Sequence, residues 1–117
     1  MGHVWIDVKI GTEDRRKIVE AKALVDAGAT LTVVPRELAS RLGLSATGKA
    51  RVETGAGVIE LERSRAWVEM EGRGEVVPVL ISDIIDRVLI GVTTLEVLEL
   101  EVDPVTGKLR ERALLLY

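Results

Sequence analysis

Apolar and polar residues alternate through most of the chain with the period of two that marks half-buried strands. Val4, Ile6, Val8 and Ile10 alternate with Trp5, Asp7 and Lys9. After the polar stretch Gly11-Thr12-Glu13-Asp14-Arg15-Arg16, the alternation resumes from Ile18 to Val25, which predicts a hairpin. Leu31 to Val34 is a short β-branched strand, and Pro35 suits the first turn of a helix that carries Leu38 and Leu42 on one face. Gly43 follows as a left-handed cap, so Pro35 to Leu42 is a helix, with Arg36 and Arg41 as its solvated decoration. Lys49 to Thr54 and Val58 to Met70 are extended runs joined by a hairpin tip of small residues, Gly55-Ala56-Gly57. Gly72-Arg73-Gly74 reads as the next turn, and Val76 to Ile81 as a strand whose Pro78 predicts an edge position or a bulge. Ser82-Asp83-Ile84-Ile85-Asp86-Arg87 is a loop with both isoleucines expected inside, and Val88-Leu89-Ile90-Gly91 is a short apolar strand. Thr93 and Glu96 have capping-box spacing and open a helix through Leu95 and Leu98. Leu100 and Val102 begin another strand, Asp103-Pro104-Val105-Thr106-Gly107 is a turn, and Lys108 to Tyr117 is the returning strand.

Many short strands, two short helices and no linker-like stretch predict an all-β fold, a barrel or folded sheet forming a single domain over residues 1–117. Leu24 to Leu38 and Val88 to Leu98 both run strand, glycine turn, short helix, an internal echo that fits a pseudo-twofold fold.

Composition narrows the chemistry. A hydrophobic fraction of 47% against 30% charged residues fits a folded chain, and 117 residues suffice for one real core. The absence of Cys removes disulfides, thiolate catalysis and cysteine-ligated metals. His3, the sole histidine, lies near the start, which removes a Ser-His-Asp mechanism and most zinc chemistry. No metal and no cofactor are expected. A net charge of −3 and an aromatic content of 3% argue against nucleic-acid binding. No apolar run approaches the roughly 20 residues that span a bilayer. Met1 to Asp7 lack a basic region followed by a long apolar one, so no signal peptide is expected and the cytoplasm is the expected compartment. The chain contains no Asn and no Gln while Arg and Glu are plentiful, a balance that points to a thermophilic source.

The candidate chemistry lies in Ala23-Leu24-Val25-Asp26-Ala27-Gly28-Ala29-Thr30-Leu31-Thr32-Val33-Val34, where a carboxylate ends one apolar run and a tight turn leads into another. Asp is a poor strand former, and a charge between buried strands is costly unless it is paired or solvated. Gly28 lets the backbone turn sharply or approach another chain or a ligand. Taken alone, Asp26 also fits a simple turn former, and Gly55 and Gly57 fit plain hairpin glycines. Trp5 and Trp67 read as packing residues, and Glu60, Glu62, Glu69 and Glu71 as a solvated sheet face.

The order apolar-apolar-Asp-x-Gly-Ala-Thr, small-residue hairpin tip, then apolar-apolar-Gly before a short helix resembles the retropepsin-like aspartic proteases, most closely their single-domain prokaryotic and archaeal members. The likeness runs from Trp5 to the last strand. It implies an acid-protease barrel with two short helices that works as a homodimer on peptide or unfolded protein. In it Asp26 is the catalytic aspartate, Ala27, Gly28, Ala29 and Thr30 form the active-site loop against the substrate, and Gly55, Ala56 and Gly57 form the flap. Val88-Leu89-Ile90 with Gly91 packs beneath the turn, and Ala113 to Tyr117 supplies a dimer-interface strand. Two carboxylates sharing one proton can activate water and protonate the leaving nitrogen, because close like charges resist double ionisation. Asp7, Asp83, Asp86 and Asp103 lack the strand-turn setting of Asp26, so the second carboxylate is expected from a second copy across a twofold axis. Where the family usually has Thr or Ser, whose hydroxyl bonds across that axis, this chain has Ala27. That departure keeps a second reading open, a weak or inactive dimeric module that binds peptide.

Overall fold

The computed structural model describes residues 4–116. Strands β1 (Val4–Gly11) and β2 (Ile18–Val25) form the expected antiparallel hairpin, in register from Val4 opposite Val25 to Gly11 opposite Ile18. Strand β3 (Thr32–Pro35) runs directly into helix α1 (Arg36–Leu42), which ends at Gly43 in the left-handed conformation with φ 72°. Strands β4 (Gly48–Thr54), β5 (Gly57–Met70) and β6 (Arg73–Ser82) form a meander. Strand β7 (Val88–Ile90) leads into helix α2 (Val92–Val97), and β8 (Leu100–Val102) pairs with β9 (Leu109–Glu111) in a separate ribbon.

The main sheet has the order β1-β2-β7-β3-β6-β5-β4. Lys9, Ile10 and Gly11 of β1 pair with Glu69, Val68 and Trp67 of β5, which closes β1, β2, β7, β3, β6 and β5 into a barrel and removes their exposed edges. Inward positions of every barrel strand fill the interior, among them Ile10, Val34, Val68, Val77, Val79 and Ile90, with Leu42 of α1 packed beneath. Each such side chain contributes roughly 1.5–3 kcal/mol on burial, so this apolar filling is the main force that closes the barrel.

The two halves are related by a pseudo-twofold. Strand β2 pairs parallel with β7, β6 pairs parallel with β3, and β3 meets β7 antiparallel at Val33 opposite Leu89. Thus β1-β2-β3-α1 corresponds to β5-β6-β7-α2. The internal echo is real, but its alignment differs from the sequence expectation. The counterpart of the turn after β2 is the 83–87 segment after β6, and not Gly91.

Other differences have local causes. The hairpin between β5 and β6 turns at Glu71 and Gly72, both with positive φ (52° and 73°), and Arg73 and Gly74 already belong to β6. That is the two-residue turn whose twist suits a hairpin. Pro78 lies in an interior strand, just ahead of the stretch (Val79 to Ser82) where β3 joins as a second neighbour. Ile84 is exposed rather than buried, at 78%. The final strand is confined to Leu109–Glu111, and Leu114, Leu115 and Leu116 are exposed without a sheet partner. Tyr117 lies outside the described residues. Trp5 is half exposed beneath the Arg87 guanidinium, 5.6 Å from its ring centroid. Among the described residues no helix is long and apolar enough to cross a membrane.

Candidate active site

Parallel pairing with β7 carries β2 straight to Asp26, whose N–H donates to the Ile90 carbonyl at 3.0 Å. The chain then reverses. Ala29 N–H donates to the Asp26 carbonyl at 3.0 Å, and Gly28 N–H donates to Asp26 Oδ1 at 2.9 Å. Aspartate thus folds its own turn through its side chain, a behaviour typical of the residue. Its other oxygen, Oδ2, takes no hydrogen bond from the described residues. Gly28 does not adopt a left-handed conformation. A Cβ at this position would lie 3.3 Å from Asp26 Oδ1, so glycine here keeps the space over the carboxylate open.

The second half of the turn is locked to α2. Val92 and Thr93 N–H donate to the carbonyls of Ala29 and Thr30 at 2.9 and 3.0 Å. These are leading amides of the helix, which have no partner inside it. The turn satisfies them, and so the expected capping box of Thr93 and Glu96 does not form: the helix starts at Gly91 with no side-chain cap. Gly91 is the close-approach position. A Cβ on it would stand 2.5 Å from the Leu31 carbonyl carbon and 3.0 Å from the Ala29 oxygen. Beneath the turn, the buried hydroxyls of Thr32 and Thr94 bond to each other at 2.7 Å, and Gly91 N–H donates to Thr32 Oγ1 at 3.1 Å. A polar pair is tolerated in the apolar core here because each hydroxyl oxygen has a hydrogen-bond partner.

The turn opens onto a cleft of about 880 Å³ between the barrel and the β4–β5 hairpin. Asp26, Gly28, Ala29 and Thr30 line it, as does Ala56 of the hairpin tip; Ala27, Gly55 and Gly57 are exposed and lie outside its lining. Thr54 steadies the tip, its hydroxyl donating to the Gly57 carbonyl at 2.8 Å and accepting from Ala56 N–H at 3.2 Å. The walls are mainly apolar, with Leu31, Val33, Val52, Ile59, Leu61 and Leu89 prominent. A mainly apolar cleft with Asp26 in its lining suits a chain bound in strand form. Among the described residues no group of three or more His, Cys, Asp or Glu is placed to hold a metal ion.

Residues 6–104 match the aspartyl protease family. The chain belongs to that family. Solved structures of retroviral proteases show the same retropepsin-like fold. The EIAV protease complexed with the inhibitor HBY-793 has a TM-score of 0.67 at 20% identity, over 83% of this chain and 88% of that one. The solution structure of the simian foamy virus (mac) protease has a TM-score of 0.58 at 21% identity, over 79% and 91%. No curated protein matches the sequence.

Several parts of this candidate site were not legible as site residues. Thr32 and Thr94 have no motif, although a threonine amid Leu31, Val33 and Val34 is a signal of a satisfied buried hydroxyl. Arg36, expected only to decorate α1, donates from Nε and Nη2 to both oxygens of Asp83 (2.8 and 3.3 Å) and from Nη1 to Glu62. It thereby ties the 82–85 wall of the cleft and the β5 strand to α1. The Asp83 hydrogen bond, then the Glu62 one, raises the affinity of Arg36 for its proton, and Arg36 in turn holds the Asp83 carboxyl below its ordinary value of 3.8.

Proposed function

We propose that the protein is an aspartic endopeptidase in which Asp26 from each of two copies forms the catalytic dyad. The observation that carries this reading is the setting of Asp26. It stands in the lining of a peptide-sized cleft, on a turn braced by the β7–α2 junction, with one oxygen uncommitted. No other carboxylate among the described residues shares that setting, so a dyad needs a second copy related by a twofold axis. In that dimer one carboxylate takes a proton from the bridging water as it attacks the peptide carbonyl. The other, holding the shared proton, hydrogen-bonds the developing oxyanion and then delivers the proton to the leaving nitrogen. The pair titrates as a unit. Gly55-Ala56-Gly57 serves as the flap over the bound chain, Thr30 faces the substrate backbone, and no cofactor takes part.

Cleavage of peptide or unfolded-protein pools at mildly acidic pH tests the proposal. Wild type is expected to cleave and Asp26→Asn to be inert; equal inertness of both across pH and temperature overturns it. A second reading rests on Ala27, which is exposed and has no hydroxyl to bond across the axis. A dimer lacking one net hydrogen bond per subunit is weaker by about 0.5–1.5 kcal/mol for each. Peptide binding by wild type and Asp26→Asn alike, with no turnover by either, would identify a binding module.

A further inference from the structure

We infer that Arg63 selects substrates carrying an acidic side chain, a specificity that rests on the proposed peptide-binding role of the cleft. The β4–β5 register sorts the hairpin into two faces. Gly48 opposite Arg63, Ala50 opposite Leu61 and Val52 opposite Ile59 share one face, while Lys49, Arg51, Glu60 and Glu62 share the other. Arg63 is also paired with Leu80, Leu80 with Val33, and Val33 with Leu89. Paired residues point to the same side of a sheet, so Leu89, Val33, Leu80 and Arg63 form one continuous row, and all four line the cleft. The row is apolar until its end, where a guanidinium stands.

That guanidinium has no acidic partner among the described residues. Arg16, Arg36, Arg65, Arg73, Arg87, Arg110 and Arg112 each pair with a carboxylate, whereas Arg63, like Arg15, Arg41 and Arg51, makes neither an ion pair nor a side-chain hydrogen bond among the described residues; of these four only Arg63 stands on the inner face of the β4–β5 hairpin. Arg51 and Glu53 also reach the cleft lining, but the register places them on the outer face, where Lys49 bonds Glu60. Gly48 opposite Arg63 has no side chain, which leaves the space above it clear. The backbone there is fixed: Thr47 N–H donates to the Arg63 carbonyl at 2.8 Å, and Ser64 Oγ donates to the Ser45 carbonyl at 2.6 Å.

A planar cation held at the end of an apolar trough matches a carboxylate, which it can bind through two parallel hydrogen bonds. Arg63 lies on β5, with β6, β3 and β7 and their residues Leu80, Val33 and Leu89 between it and β2, the strand that leads into the Asp26 turn. The acidic residue therefore sits away from the scissile bond, with apolar residues of the substrate over Leu80, Val33 and Leu89 between them.

Profiling cleavage of a peptide library by wild type, Arg63→Leu and Arg63→Glu tests this, with matched peptides carrying Glu, Gln or Lys at the position so identified. Wild type is expected to prefer Glu over Gln by about tenfold in kcat/KM, equivalent to ~1.4 kcal/mol, and less at high salt. Arg63→Leu should erase the preference and Arg63→Glu should turn it toward Lys, with melting curves confirming that both variants fold. Cleavage with no acidic preference, or with one that persists in Arg63→Glu, overturns the inference while the endopeptidase reading stands. If nothing is cleaved, fluorescence anisotropy of the same peptides with each protein decides. Glu-peptide binding lost in Arg63→Glu supports the role of Arg63 although catalysis fails, and binding without that dependence, or no binding, overturns it.

Discussion

At corresponding places the two halves of the barrel carry different loops. Strand β2 runs into the 26–31 turn, where Asp26 closes its own turn and the following carbonyls cap α2. Strand β6 runs into 83–87, where Ser82 Oγ accepts from the N–H groups of Ile84 and Ile85 at 3.1 and 3.2 Å and Ile84 is left in solvent. The second loop has carboxylates too, but Arg36 and Arg87 hydrogen-bond Asp83 and Asp86 and hold both below their ordinary value. Neither of these carboxylates lines the cleft beside Asp26. The pseudo-twofold thus repeats the backbone without repeating the chemistry, which is why the proposed dyad calls for a second copy.

The most severe test of this asymmetry is a tandem dimer on one chain with Asp26→Asn in a single half. If both carboxylates come from Asp26, kcat/KM on a peptide falls by about 10³-fold, as far as with both halves changed; retained activity would place the second acid elsewhere. Next in size, Gly91→Ala should lower stability by about 3 kcal/mol in denaturant titration, because its Cβ meets backbone that cannot retreat. Ile84→Ser in the exposed loop should stay within about 0.5 kcal/mol. Thr32→Val strands the Gly91 N–H and the Thr94 hydroxyl and should cost about 2 kcal/mol, with a coupling to Thr94→Val of about 1 kcal/mol in a double-mutant cycle. Ala27→Thr should tighten the proposed dimer about tenfold, read by sedimentation over a dilution series.

The smallest effect concerns acid. Asp83 has a lowered value in the folded state, so its contribution to stability is complete above its unfolded value near 3.8 and is lost as pH falls through the folded one. The stability difference between wild type and Asp83→Asn should therefore shrink as pH is lowered through the range below about 4. A difference constant across that range would show that Arg36 does not anchor the loop through this carboxylate.

Local physics carried much of this protein on the surface of its sequence. Alternation marked the strands, Pro35 and Gly43 bounded α1, Asp103 to Gly107 marked a turn, and a carboxylate at the end of an apolar run marked Asp26, because each depends on neighbours along the chain. Non-local pairing decided the rest. The parallel joins of β2 with β7 and β3 with β6 set which half matches which, let the Asp26 turn cap α2 in place of Thr93, and aligned Arg63 with Leu80, Val33 and Leu89. Alternation says that every second residue of a strand shares a face. Only the neighbouring strands, distant in sequence, say what that face looks upon.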